Sequence, residues 1–283
     1  MLRQILVPLD TTSHTPAATR VAADIARNVR EAVGRDMVTL LGLGIVDLDQ
    51  IPTGRFATLV PRDEILAEAR ASAKALIDAF RGQARAAGVA PENIATHFTE
   101  GSPFQAIMHH HVFADMVVMG ESCCFPPVAV DYDTLQQLYH RASRPILLTP
   151  REPRPVETVV MVMDGTASSS RMMYAYAHLN PFPRAKLVVA HSRLEEEYHS
   201  LKDFFDRVQT YLESFKFQVT QERLDGHMVE SLPSLVKERG ASAIAMGVHA
   251  EHFLDKVRNP LHLALPGVQT VFGKTGVSLF TVH

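Results

Sequence analysis

The chain is written twice. Gln4-Ile5-Leu6-Val7-Pro8-Leu9-Asp10 is a short apolar run ending in an acid and a Thr/Ser cluster. Thr158-Val159-Val160-Met161-Val162-Met163-Asp164 repeats it, ahead of Gly165, Thr166 and Ser168 to Ser170. Further on, Asp115-Met116-Val117-Val118-Met119-Gly120 returns as Ser242-Ala243-Ile244-Ala245-Met246-Gly247. A Gly-led helix signal precedes each of these later runs, Gly101-Ser102-Pro103 in the first half and Gly226-His227-Met228 in the second. Gly101 and Gly120 are 19 positions apart and Gly226 and Gly247 are 21, whereas Asp10 and Gly101 are 91 apart and Asp164 and Gly226 only 62. The halves therefore share one plan, and the first carries 29 more residues between its second and third strands. A self-similar chain of this length reads as two domains. The Pro-rich, charged joint Arg151-Glu152-Pro153-Arg154-Pro155 separates them, giving expected domains of 1–150 and 156–283.

Within each half, short continuous apolar runs alternate with helical periodicity. Strands are expected at 4–9, 37–46, 94–99, 115–120 and 145–149, and again at 157–163, 186–191, 217–223, 242–247 and 276–282. Several are apolar on both faces, as a parallel strand covered by helices on both sides must be. Between them, Thr15 before Pro16 predicts an N-cap and first helical position, with Ala18, Val21, Ala22, Ile25 and Val29 spaced along one face. A long Ala-rich helix is expected over 62–87, ending at Gly88. Ser102 and Pro103 start another, with Phe104, Ile107, Met108 and Val112 facing inward. Repeated βαβ units give α/β architecture: two Rossmann-like, doubly wound parallel-sheet domains in tandem. Ligands of such sheets sit beyond the C-terminal strand ends, where strand order reverses. Asp10, Asp164, Gly120 and Gly247 all end strands there.

Charge and composition remove several classes of function. With 28 Lys+Arg against 31 Asp+Glu and the signs interspersed, no basic stripe exists to hold nucleic acid. No apolar run approaches the roughly 18 residues of a membrane span, and the N-terminus lacks the pattern of a signal peptide. The two cysteines are adjacent, Cys123 and Cys124, and a disulfide between neighbours is strained, so a reducing cytoplasm is the expected location. Neither a Gly-x4-Gly-Lys-Ser/Thr loop nor a Gly-x-Gly-x2-Gly fingerprint is present. Ser-Gly-Gly-x-Asp-Ser and His-Ile-Gly-His are also missing.

The order of the remaining motifs is informative. ILVPLDTTSHTPAATRVAADIA, GSPFQAI, ADMVVMGES and RASRPILLTP follow one another in the first half, with VVMVMDGTASSS, LVVAHS and ASAIAMG in the second. In this order they resemble the universal stress protein family, over nearly the whole chain. The resemblance implies five-stranded units of the adenine nucleotide alpha hydrolase-like type. It also implies pairing of two units through their last strands, here an intramolecular pseudo-dimer that can itself form a homodimer. In ATP-binding members the acid after the first strand contacts the adenine end. On the residues that match, the ligand-contacting candidates are Asp10, Thr11, Gly120, Glu121 and Ser122 in the first half, and Asp164, Gly165 and Gly247 in the second. A turn acid that caps the following helix explains Asp10 and Asp164 equally well.

The sequence departs from that family where the phosphates would lie. ATP-binding members carry Gly-x2-Gly-x9-Gly-Ser/Thr after strand 4, whose backbone N–H groups close around phosphate. From Gly120 this chain reads Glu121, Ser122, Cys123, with Asp131 nearby and Asp133-Thr134 at the final position. From Gly247 it reads Val248, His249, Ala250, with Pro260 in place of the last glycine. Tight ATP binding by the usual loop is therefore not expected in either half. The expected function is regulatory or stress-protective, through a small-molecule ligand or a protein partner. The alternatives are an adenine nucleotide site with slow, divalent-ion-dependent ATPase activity, and a zinc-binding or redox-sensing protein. Zinc would draw on His249 and His252 with Cys123. His109-His110-His111 cannot converge on one ion, because successive helical residues point about 100° apart. The long stretch from Asp47 to Pro61 folds over the crevice or onto the other half, or is simply a connection.

Overall fold

The computed structural model describes residues 1–51, 61–127, 132–192, 202–226, 228–247 and 271–283. Contacts divide them into two compact units, one of Leu2–Arg144 with Leu148–Glu152, the other of Pro145–Leu147 with Pro153–His283.

The first unit runs β1 (Gln4–Leu9), α1 (His14–Val33), β2 (Thr39–Asp47), α2 (Arg62–Ala86), β3 (Ile94–Gly101), α3 (Pro103–His111), β4 (Met116–Gly120), α4 (Tyr132–Arg141) and β5 (Ile146–Thr149). Its strands lie in the order β3-β2-β1-β4-β5. β1 pairs in parallel with β2 on one side and β4 on the other. The reversal of strand order between β1 and β4 is the switch point at which such sheets open a crevice. Every residue of β4 is buried, as is β1 after Gln4. The edge strand β3 is half exposed along its length and mixes polar with apolar residues. α1 packs with α2 and α3 with α4, the two helix layers of a doubly wound sheet. Val46, Ala69 and Ala73 join β2 to α2, with Leu66 and Phe98 at the margin.

The second unit repeats the plan with β6 (Thr158–Val162), α5 (Ala167–Leu179), β7 (Lys186–Ser192), α6 (Lys202–Ser214), β8 (Gln218–Leu224), α7 (Met228–Glu238), β9 (Ala243–Gly247) and β10 (Ser278–Val282). Its order is β8-β7-β6-β9-β10, with β6 between β7 and β9 in parallel register. Both units are the α/β, Rossmann-like, doubly wound sheets expected from the repeat.

Two local expectations need correction. α1 starts at His14, after Ser13, so Thr15 and Pro16 lie inside its first turn. Thr15 cannot act as N-cap because its hydroxyl is held by Asp10. On α3, Ile107 faces inward as expected, but Phe104 and Met108 are only half-buried and Val112 is 53% exposed, with His111 buried in its stead. The helix ends at His111. His111 Nδ1 donates to the Met108 carbonyl at 2.6 Å, and Nε2 lies 3.2 Å from Ser143 Oγ, which makes a buried imidazole acceptable.

Candidate functional site

The crevice of the first unit is built around the turn that follows β1. Asp10 is only 5% exposed. Its Oδ1 accepts from the Thr12 backbone N–H at 2.8 Å, from Thr12 Oγ1 at 2.6 Å and from Thr15 Oγ1 at 2.8 Å. Thr15 Oγ1 in turn accepts from the Asp10 N–H at 3.0 Å. Burial pushes the Asp10 carboxyl above the ordinary carboxylate range, against hydrogen bonds from Thr12, Thr15 and the Cys124 backbone that pull it down.

The second unit makes the same turn from equivalent residues. Asp164 Oδ1 accepts from the Thr166 N–H at 3.0 Å and from its hydroxyl at 2.7 Å. Thr166 Oγ1 then receives the Ser169 N–H at 3.2 Å and caps α5. Gly165 supplies the left-handed residue between them, with φ of 78°. Asp-x-Thr therefore shapes the strand-to-helix turn in both halves. Its carboxylate is engaged by the turn that it forms.

The glycines that end β4 and β9 meet these helices at close range. A Cβ on Gly120 would stand 2.2 Å from the His14 Cβ, and one on Gly247 would stand 2.7 Å from the Ser168 carbonyl carbon and 2.8 Å from the Ser169 nitrogen. Both glycines thus admit the first turn of a helix against the end of a strand.

The segment after β4 decides what the first crevice can do. Cys123, Phe125 and Pro126 are buried, and Cys124 is partly so. The Cys124 carbonyl accepts from the Thr11 N–H at 2.8 Å and from Thr11 Oγ1 at 2.9 Å. Two residues on, the Pro126 carbonyl accepts from the Asp47 N–H, at the end of β2, at 2.6 Å. The segment thus crosses the C-terminal ends of β1 and β2 and takes up one backbone donor at each. Ser122 is half-buried, and Glu121 projects outward with its Oε1 3.8 Å from the buried His14 Nε2. His14 Nδ1 has no partner among the described residues.

Of the residues singled out in the sequence, Asp10, Thr11, Gly120, Glu121 and Ser122 come together at this crevice, and Asp164, Gly165 and Gly247 at its counterpart. Asp131, His227, Val248, His249, Ala250, Glu251, His252, Pro260 and the part of the 47–61 connection from 52 to 60 lie outside the described residues. Cys123 is buried, and among the described residues no three His, Cys, Asp or Glu side chains are grouped to hold a metal. His109, His110 and His111 diverge: His109 is exposed, His110 lies 4.6 Å from the His97 ring, and His111 is buried. Sequence reasoning missed Thr12, Thr15, Thr166, Ser169, His14 and Asp47. The shared Asp-x-Thr spacing was the signal available for the Thr12 and Thr166 pair. No helix among the described residues is long and apolar enough to cross a membrane.

Strand order and paired Asp-x-Thr turns define a Rossmann-like fold repeated along the chain. Solved structures that it resembles include universal stress proteins. One from Archaeoglobus fulgidus DSM 4304 matches 99% of this chain and 97% of its own, with a TM-score of 0.68 at 14% identity. A putative universal stress protein from Pseudomonas aeruginosa UCBPP-PA14 matches 99% of this chain and 93% of its own, with a TM-score of 0.52 at 12% identity. A functionally unknown protein from Pseudomonas aeruginosa PAO1 matches 99% and 92%, with a TM-score of 0.51 at 11% identity. No protein-family model and no curated protein sequence matches the chain. The fold inferred from the ordered motifs is thus the fold of universal stress proteins.

Proposed function

We propose that the chain is a tandem universal-stress-type protein with a regulatory or stress-protective role, acting through a partner or a small ligand rather than through ATP held by a phosphate loop. The observation that carries this reading is the segment 121–127, which supplies carbonyl oxygens to the Thr11 and Asp47 amides. An anion is bound by free backbone N–H groups, and here the Thr11 and Asp47 N–H groups at the ends of β1 and β2 already have acceptors. The buried Asp10 carboxyl is likewise committed to Thr12 and Thr15. The motif order and the whole-chain structural likeness support the family assignment, and the repeat supports domains of 1–150 and 156–283.

Equilibrium dialysis of the full chain against labelled ATP with Mg²⁺ tests the reading. The expected outcome is no saturable binding at concentrations near 10 μM, a threshold corresponding to about −7 kcal/mol. Stoichiometric binding that disappears in Asp10→Ala would overturn it for the first half. Loss in Asp164→Ala alone would overturn it for the second. Mass spectrometry of material released on denaturation, together with elemental analysis, checks the same point on protein purified without chelators.

A further inference from the structure

The apolar face least explained by the fold lies on α3, away from the crevice. Crossover helices run antiparallel to the strands that they join, so α3 ends at the edge of the sheet where strands begin. The Asp115 N–H donates to the Gln4 carbonyl at 2.9 Å there. At that end, Val112 is 53% and Phe113 72% exposed. With Phe104, Met108 and His109 they line an open groove of about 560 Å³, closed on one side by Arg141 at the end of α4. Scattered exposed apolar residues need no explanation, but a contiguous groove built from one helix face does.

Its charge says what kind of occupant fits. The Arg141 guanidinium lies 5.6 Å from the centre of the Phe104 ring and forms no ion pair with a described residue. Arg144 donates to the Val112 carbonyl at 3.4 Å. His109 is exposed on the same wall, and among the described residues no acid lines the groove. A cation over an aromatic floor, with exposed Val and Phe beyond it, complements apolar side chains flanked by carboxylates. An open groove along a helix also suits an extended or helical peptide better than a small molecule, which needs enclosure.

We infer that this groove is a docking site for an acidic, amphipathic peptide segment of a protein partner. The proposal rests on reading the chain as a partner-binding protein, but it uses none of the crevice residues. ATP binding and groove binding can therefore fail separately.

Selection from a displayed library of random 16-residue peptides on the full chain, with counter-selection on Phe113→Asp, is the test. Phe113 is 72% exposed, so this change leaves the fold intact, which circular dichroism verifies. The expected result is a consensus with large apolar residues spaced i, i+3 or i+4 and flanked by Asp or Glu. A synthetic consensus peptide should lose tenfold or more in affinity on Arg141→Glu, and its affinity should fall with added salt. Failure to enrich any sequence overturns the proposal, as does a basic consensus or equal binding to Phe113→Asp. Concentration-dependent self-association of the chain that Phe113→Asp abolishes would also overturn it, by assigning the face to a second copy.

Discussion

Replacing Gly120 by alanine should destabilise the first unit by about 2 kcal/mol. The added Cβ would lie 2.2 Å from the His14 Cβ and 2.6 Å from its Cγ. Carbon atoms in contact prefer roughly 3.5–4.0 Å, so β4 and the first turn of α1 must separate by more than 1 Å. Overpacking of that kind costs about 1–3 kcal/mol. The shift also moves Thr15 away from Asp10, adding about 1 kcal/mol for a weakened hydrogen bond. The smaller entropy of the unfolded alanine chain offsets about 0.5–1 kcal/mol of this. Gly82 is the control, since it lies inside α2 with nothing within 4 Å of its added Cβ, and Gly82→Ala should gain roughly 0.5–1 kcal/mol. Urea denaturation followed by circular dichroism, with hydrogen exchange to localise the loss to β1, β4 and α1, measures both. A Gly120→Ala protein within 0.5 kcal/mol of the wild type would refute the close approach of helix and strand.

Two further outcomes follow from titrating groups. Burial raises the Asp10 carboxyl, so its cost appears as pH climbs from the unfolded carboxylate value through the higher folded one, and is absent below both. Asp10→Asn keeps an Oδ1 acceptor for Thr12 and Thr15, so its stability relative to wild type should improve steadily between pH 3.5 and 7. A flat difference across that range would contradict the buried charge. His110 has its pKa lowered by burial and then by His97 and His109, so its NMR midpoint should fall below the ordinary histidine range and rise towards it in His97→Asn.

The strands were readable because a strand covered on both faces leaves no polar alternation: β1, β4, β6 and β9 are buried along nearly their whole length. The start of α1 was misplaced because Thr15 has two uses and the local pattern shows only one. A hydroxyl before proline reads as a cap, whereas Asp10, five residues back and buried, claims it. Val112 continued the apolar spacing of α3, yet the helix stops one residue earlier and His111 takes the inward place through Ser143, which is 32 positions away in sequence. At the crevice, the loss of the phosphate-loop glycines was legible, but its physical form was not. The sequence shows only which residues stand in the approach. The structure instead fills it with the carbonyls of Cys124 and Pro126, whose partners Thr11 and Asp47 belong to two other strand ends.

Those carbonyls also determine how the crevice answers to its surroundings. Three hydrogen bonds at about 1 kcal/mol net each hold the closed arrangement roughly 3 kcal/mol below an open one, so the open form is under about 1% of the molecules. A dissolved molecule then meets a rival carried on the same chain, one that dilution cannot remove. Its apparent affinity is the intrinsic value multiplied by the open fraction, a weakening of about a hundredfold. A contact of micromolar intrinsic strength would register only near 0.1 mM, about the level of an abundant metabolite. Such a crevice would be deaf to traces and responsive to large swings in supply, or to any event that loosens the segment from Thr11 and Asp47.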